Sequence, residues 1–521
     1  MKRQFLTLFL FTLASISGYA QLEHVIRGDC TPGLLSGDSI ATARGNAPRS
    51  IPSVNWQWDA ERVYRQLVIL VSFSDLDFNR EDPRAVYNDI FNKEGYNERN
   101  GPGCVADYFR CQSGGLMNME FDVFGPYKVS SKAQPYEKPN KDVRNYGTEQ
   151  IREATQKFLA ENPNTDFEPY DWNGDGYVNQ IIYVFAGYCG NQDIEACYGY
   201  LWPNTSTIAA IVTPDGKRIY NYTVSAELWA NNTSCGIGTI CHEFTHSLGL
   251  PDIYPTRSGA GYSVVDEWDL MDGGNFTNYG WCPPNYSALE KMLLGWLTPV
   301  DLTDPQHIES MGAVADGGEV YRVRNIGNEY YLLENRQQKG WDLGLPGKGL
   351  AIFHVIYSDG KWSSNTVNNN RDAYGYSIVH ADNMDYDTWY DRIIASGSRN
   401  PYVNKPRLNN SILSTSSYPW TTDSTLTVNA ELTDTSVPAA EMYFPNVDGE
   451  RLMSKPITRI TQNPDGTIAF DFMGGDNSGI IQTMAQQPHY QTFDLCGRVV
   501  GESRGIVIVR ASDGTVRKVL R

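Results

Sequence analysis

The stretch CHEFTHSLGLPDIY, Cys241 to Tyr254, decides how this chain is read. Within it His242, Glu243 and His246 spell H-E-x-x-H. Residues four apart on an α-helix lie one above the other on the same face. Two imidazoles at this spacing can hold one metal ion from the same side. Zinc takes nitrogen donors about 2.0–2.1 Å away in a tetrahedral arrangement. Glu243, beside the first donor, can reach a water on that ion without ligating it, an arrangement that hydrolyses peptide bonds. Gly249 can adopt the positive φ that ends a helix, and Pro251 forbids its continuation. The chain must turn there, and Asp252 brings a carboxylate back as a third ligand. The full pattern is H-E-x-x-H-x-x-G-x-x-D.

Downstream, Glu267-Trp268-Asp269-Leu270-Met271-Asp272-Gly273-Gly274 reads as a tight turn. A Met in such a turn beneath a zinc site marks the metzincin peptidases, and here it follows the full ligand pattern. Tyr286–Leu297 then reads as a helix closing a catalytic domain. Upstream, Arg218–Ala226 is a strand candidate placed to lie beside the cleft and pair with substrate backbone. The metal helix itself is expected from near Cys235–Gly238 to Gly249. Cys241 points to another face of that helix, as a core thiol.

The earlier elements are ordinary. Leu67–Phe73 (LVILVSF) is a continuous apolar run and fits a buried strand. Asp82–Lys93 reads as a helix, with Asp82 as N-cap and Pro83 at its first position. Val105–Arg110 reads as helix and Met117–Phe124 as strand. Val143–Glu161 carries Ile151, Ala154, Phe158 and Leu159 at helical spacing, which packing alone explains. Val178–Ala186 is a strong strand.

Just before that strand, Asp171-Trp172-Asn173-Gly174-Asp175-Gly176-Tyr177 has the order of the first half of a calcium loop. Asp171, Asn173 and Asp175 would offer side-chain oxygens, and Tyr177 its carbonyl. The twelfth position is Ile182 rather than Glu, so a regular EF-hand is ruled out. An ordinary Asp/Asn/Gly turn is the plain alternative.

At the N-terminus, Lys2 and Arg3 followed by an apolar core and Gly18-Tyr19-Ala20 read as a secretory signal over residues 1–20. No later window offers about 20 uninterrupted apolar residues. Residues 21–62 read as a pro-segment or N-terminal arm, in which Cys30 or Asp29 is a candidate to block the zinc. The formal charge is −18, from 43 basic and 61 acidic residues, with no basic stripe, which argues against nucleic acid. The nine cysteines leave at least one thiol unpaired. Cys189 with Cys197 is the first disulfide candidate. Cys235 and Cys241, if both helical, are about 9 Å apart and too distant to bridge.

From Val300 the texture changes to short alternating strands: Val320–Val323, Tyr330–Glu334, Gly349–Val355, Tyr376–His380, Thr425–Leu432 and Thr467–Phe472. Gly, Asn, Asp and Pro punctuate them, as in a β-sandwich. No catalytic constellation is visible there, and His354 and His380 read as packing or surface residues.

Four stretches around the motif carry a family resemblance: CHEFTHSLGLPDIY, EWDLMDGG (267–274), SALEKMLLGW (287–296) and GCVADYFRCQSGGL (103–116). With YYLLENRQQKGWDLGLPGKGLAIFHV (330–355), the chain resembles the immune inhibitor A-type metallopeptidases in their Bacteroidetes form. The resemblance implies a secreted zinc endopeptidase with a metzincin-like core. It maps the family's ligands onto His242, His246 and Asp252, its general base onto Glu243 and its Met-turn onto Met271. It also implies that calcium is often bound. The last segment, 476–521, resembles the C-terminal sorting tails of type IX secretion; a terminal hairpin pair is the plain alternative.

The expectation is therefore an α+β chain: a metzincin-like zinc peptidase domain (63–299), then a mostly antiparallel, β-sandwich-like domain (300–475). It would carry one catalytic zinc and a structural calcium, act on protein or peptide substrates, and reside outside the cell or on its outer surface. The competing class is an adhesin whose peptidase core is inert.

Overall fold

The computed structural model describes residues 57–192, 194–257, 263–385, 388, 413–422 and 426–475, and the backbone of three strands beyond them, Gln491–Phe493, Ile506–Arg510 and Val516–Leu520. The fold is mixed α/β.

The first region is built on one sheet. Its members are β1 (Val63–Ser72), β2 (Asn118–Lys128), β3 (Tyr177–Val178), β4 (Ile181–Tyr188), β5 (Asn204–Val212) and β6 (Arg218–Leu228). The order is β2-β1-β4-β6-β5, with β3 pairing β6 in line with β4 on the same edge. β1, β2, β4 and β6 run parallel, with Leu67 opposite Ile181 and Ile181 opposite Tyr222. β5 runs antiparallel to β6.

The apolar run of β1 has a direct cause: both faces of this strand are covered. Val68 and Leu70 enter one core, while Leu67, Ile69 and Val71 enter another. β4 splits the same way, with Ile182 and Val184 on one side and Ile181, Tyr183 and Phe185 on the other. A strand buried on both faces has no polar alternation.

Helices α1 (Pro83–Asn92), α2 (Val105–Gln112), α3 (Thr148–Glu161), α4 (Gly238–Ser247) and α5 (Ala288–Leu293) cover the faces. Asp82 caps α1 by accepting the Ala85 N–H, with Pro83 in the first turn, as the sequence suggests. Helix α3 begins later than Val143 because Gly147 sits at φ 72, a left-handed backbone that blocks extension. Helix α5 is shorter than its apolar pattern: it opens on a Ser287–Glu290 capping box and ends at Leu293. Gly249 takes φ 103 just past α4.

The second region has two larger antiparallel groups and a short pair, Trp420–Thr422 with Leu426–Asn429. Tyr376–Ile378, Gly349–Ile356, Glu329–Arg336 and Tyr321–Arg324 form one sheet, with Val300–Asp301 added in parallel. Ile457–Gln462, Ile468–Phe472 and Gln306–Met311 form the other. Tyr331, Leu333, Leu350 and Ile352 share an apolar cluster with Ile457, Ile468, Phe470 and Phe472.

The opposite face of the same strands belongs to the first region. Tyr330, Leu332, Ala351, Phe353 and Val355 lie in one core with Ile240, Phe244 and Met271. The two regions thus share a core across residue 300. Arg336, fully buried, adds a polar rivet there. It donates to both oxygens of Asp342 (2.8 and 2.7 Å), to Glu334 (3.2 Å) and to the Asn285 carbonyl (3.2 Å).

No helix among the described residues is long and apolar enough to cross a membrane. The signal segment, Cys30 and Asp29 lie outside the described residues, as does most of 476–521.

Candidate metal centre

Helix α4 carries His242 and His246 one turn apart, with ring centroids 5.0 Å from each other and planes at 86°. Each ring is fixed through its Nδ1. His242 Nδ1 lies 2.9 Å from the Leu270 carbonyl oxygen, and His246 Nδ1 lies 2.8 Å from that of Leu250. A carbonyl oxygen can only accept, so each Nδ1 carries the hydrogen. Each Nε2 is left with a lone pair aimed away from the helix, the tautomer a metal needs.

Asp252 meets both. Its Oδ1 lies 3.2 Å from His242 Nε2 and 3.2 Å from His246 Nε2, and its side chain is fully buried. Burial pushes the carboxyl up, and positive charge at the two histidines beside it holds it well below the usual carboxylate range. With both Nδ1 atoms protonated toward carbonyls, the two Nε2 atoms and Oδ1 converge on one point and could hold a cation together. Tetrahedral zinc at the bond lengths above would set its donors about 3.4 Å apart, which the 3.2 Å spacings fit. His246 Nε2 is moreover buried without a hydrogen bond. Among the described residues, His242, His246 and Asp252 are the one group of three such side chains whose ligand atoms lie within 4.8 Å of one another.

The turn at Met271 frames this centre from below. Leu270 orients His242, and the Met271 carbonyl accepts the Ile253 N–H at 2.8 Å, next to Asp252. The Met271 N–H bonds Asp269 Oδ1 at 2.7 Å. Asp272 holds the turn by accepting the N–H groups of Val264, Val265 and Asp266. Glu243 is buried between the two histidines in sequence, and its carbonyl accepts the Thr205 hydroxyl of β5. Tyr254 stacks on His242, with centroids 6.3 Å apart and planes at 10°.

Several expectations need correction. The strand Arg218–Ala226 is not a free edge: β6 is paired by β3 and β4 on one side and by β5 on the other. β5 takes the outer position and passes beside the metal helix. Cys189 and Cys197 are both free thiols, with no disulfide between them. Cys189 faces Cys235, Sγ to Sγ 3.6 Å, because the end of β4 pairs alongside β6 and Cys235 follows the turn after β6. Cys235 precedes α4 rather than lying in it. Cys241 is a buried core thiol whose pKa burial pushes well up.

The Asp171–Tyr177 loop closes on a side chain. Asp171 Oδ2 accepts Lys217 Nζ at 2.7 Å and the Gly176 N–H at 2.9 Å, and Oδ1 accepts the Asp175 N–H at 3.0 Å. Asn173 donates its amide to Asp175 Oδ2, and Asp175 Oδ1 accepts the Tyr177 N–H. A calcium ion there would have to displace the Lys217 ammonium. His354 pairs with Glu329 at 2.8 Å and His380 is buried near Asp382, both as structural residues.

Sequence reading missed three groups at the centre. The Leu250 and Leu270 carbonyls are backbone atoms, so no residue type marks them. Asn365 was also missed. Its side-chain oxygen accepts the Asp252 N–H at 2.7 Å, and its amide donates to Asp252 Oδ2 at 2.7 Å. The only signal is the Asn-rich run Asn365-Thr366-Val367-Asn368-Asn369-Asn370, which ordinarily reads as a turn.

His242, His246 and Asp252 on and after the H-E-x-x-H helix thus form a candidate metal centre, with His246 partly buried and the other two fully so. Residues 52–294 match the family model of the immune inhibitor A peptidase M6 catalytic domain. Among similar proteins, immune inhibitor A of Bacillus thuringiensis subsp. alesti is 27% identical over 270 residues, which are 43% of this chain and 38% of that protein. The pre-pro-metalloprotease PrtV of Vibrio cholerae serotype O1 is 22% identical over 270 residues, 46% of this chain and 28% of that protein. The chain therefore spans well under half the length of the curated relatives it matches. A crystal structure of catalytically inactive OgpA from Akkermansia muciniphila with an O-glycopeptide aligns with 55% of this chain and 75% of its own. Its identity of 15% and TM-score of 0.23 carry no argument. The matched family is one of metallopeptidases, and the His242–His246–Asp252 cluster could hold a metal ion.

Proposed function

We propose that this protein is a secreted zinc-dependent endopeptidase acting on extracellular proteins, with a metzincin-like catalytic region. The observation that carries the reading is the convergence of two Nε2 lone pairs and one carboxylate oxygen beside a buried Glu243. Zinc at His242, His246 and Asp252 would supply Lewis acidity, lowering the pKa of a water to about 7 and polarising the scissile carbonyl. The protein's own contribution is positional. The Leu270 and Leu250 carbonyls fix each Nδ1–H and aim each Nε2. Glu243 takes the proton of the attacking water as general base and returns it to the leaving amine. Asp252 adds one negative charge to the donor set, which tempers the acidifying effect relative to a third histidine.

The apolar segment at 1–20 supports export, and the tail at 476–521 supports a type IX sorting role. The β-rich region from 300 is read as sandwich-like support. The proposal places no calcium at the Asp171–Tyr177 loop, whose buried carboxylate already holds Lys217.

The test is digestion of casein by the purified protein with and without a chelator, together with Glu243→Gln. We expect the chelator to abolish cleavage and added zinc to restore it. Glu243→Gln should keep stoichiometric zinc while losing at least about 100-fold in rate, the lower range for a general acid–base group. Full proteolysis by that variant would falsify the assignment of Glu243. Zinc-loaded wild-type protein that cleaves nothing would favour the adhesin class instead.

A further inference from the structure

We infer that Asn365, contributed by the β-rich region outside the family-matched residues, is a positioning residue for the third metal ligand, and that the metal site is incomplete without it. The inference rests on the zinc reading above and assigns one residue's part in it.

The argument begins with the Asp252 carboxylate. A carboxylate on a short side chain can rotate, present either oxygen, or bind a cation with both. Here the two oxygens have different partners. Oδ1 faces His242 Nε2 and His246 Nε2 at 3.2 Å each. Oδ2 accepts the Asn365 amide at 2.7 Å. Asn365 thereby leaves Oδ1 as the ligand atom and holds Oδ2 away from it.

The orientation of the Asn365 amide is not a matter of choice. Its oxygen accepts the Asp252 backbone N–H at 2.7 Å, so its nitrogen must be the atom facing Oδ2. One side chain thus grips both the backbone and the carboxylate of the same ligand. The donors of a fully buried carboxylate cannot be replaced by bulk water, and partners of this kind are where ligating carboxylates are fixed.

The clamp is itself held. Asn365 adopts φ 56, a left-handed backbone that asparagine tolerates better than most residues. It directly follows the helix Asp359–Ser363 and the Ser364 cap, with its N–H on the Trp362 carbonyl at 3.2 Å. Its own carbonyl accepts the Thr256 hydroxyl at 2.5 Å. Asn368 donates to the Ile253 carbonyl at 2.8 Å and to that of Tyr376 at 2.7 Å. Asn369 Oδ1 accepts the Thr256 N–H at 2.7 Å. Three asparagines therefore fasten residues 252–256 to the β-rich region, but Asn365 alone of the three touches the ligand's carboxylate in these hydrogen bonds.

The experiment compares Asn365→Gly, Asn365→Asp and Asn369→Ala in the full chain. Gly keeps the left-handed backbone and removes only the amide. Asp keeps an acceptor for the Asp252 N–H but replaces the donor with an oxygen. The readout is zinc affinity by competition with a chromogenic chelator, alongside the visible spectrum of the cobalt-substituted protein, which reports ligand geometry. Both Asn365 variants should lose about 10–100-fold in zinc affinity, the usual effect of removing such a partner, with an altered cobalt spectrum. Asn369→Ala should leave affinity within about twofold of wild type, in keeping with its anchoring of Thr256 rather than of a ligand.

Unchanged zinc affinity and cobalt spectrum in Asn365→Gly overturn the inference while leaving the zinc reading intact. An equal loss in Asn369→Ala also overturns it, because the effect would then be general scaffolding. Wild-type protein that takes up no zinc overturns both.

Discussion

At the residue scale, the centre is governed by where protons sit. Each histidine spends its Nδ1 hydrogen on a backbone carbonyl, which is what frees Nε2. Beneath the Met271 turn a second proton matters. Asp269 and Glu290 are both buried. Burial pushes both carboxyls up, Asp269 to about 7; the Asp272 charge adds to the rise at Asp269, against the Met271 N–H and a Glu290 hydrogen bond that lower it, and the Asp269 charge adds to the rise at Glu290. The native state then binds protons that the unfolded chain releases. For a group raised in this way, the stabilisation is full below the unfolded pKa of about 3.9 and is lost as pH rises through about 7. We expect stability of the metal-free protein to fall across that window. Asp269→Asn keeps an acceptor for the Met271 N–H and removes the titrating group, so it should flatten the fall. Denaturant unfolding at a series of pH values measures this, and an unaltered slope would show that the pair does not share its proton.

At the scale of elements, the metal helix is placed by close backbone approach. A Cβ on Gly238 would run into the Asn275 carbonyl oxygen, and one on Gly236 into the Gly280 carbonyl. Both obstacles are backbone, so neither can rotate aside. This contact sets helix α4 against residues 274–280, just after the turn whose Leu270 carbonyl orients His242. Gly238→Ala should destabilise the protein by about 1–3 kcal/mol, the range for overpacking a tight core, measured as a shifted denaturant midpoint at constant slope. A neutral midpoint would mean that the helix can slide, and zinc affinity would then be the place to look for the shift.

At the scale of the whole molecule, the two regions behave as one body because they share a core and a buried ion cluster. Arg336 satisfies Asp342, Glu334 and the Asn285 carbonyl, while Asp342 and Glu334 in turn accept the N–H groups of Asn285 and Ala288. Removing the guanidinium strands two buried carboxylates. Arg336→Met should therefore cost about 3–5 kcal/mol. It should do so within one calorimetric transition covering both regions. Two separate transitions in the wild type would contradict the shared core.

The three side chains that the structure brings together, His242, His246 and Asp252, were legible along the chain. Helical spacing places His242 and His246 on one face whatever surrounds them, and Gly249 and Pro251 force the turn that returns Asp252. The strands β1 and β4 were legible for a related reason, since burial on both faces writes a continuous apolar run. What lay beyond the sequence is whatever depends on a partner far along the chain. Asn365 sits 113 positions from Asp252, and nothing local distinguishes it from any turn asparagine. Cys189 finds Cys235 only because β4 and β6 pair. Lys217 reaches Asp171 only because β3 and β6 do. Local periodicity is dictated by backbone geometry and can be read in one dimension. Which carboxylate oxygen faces a metal, and which amide holds the other, is settled only when two distant segments pack.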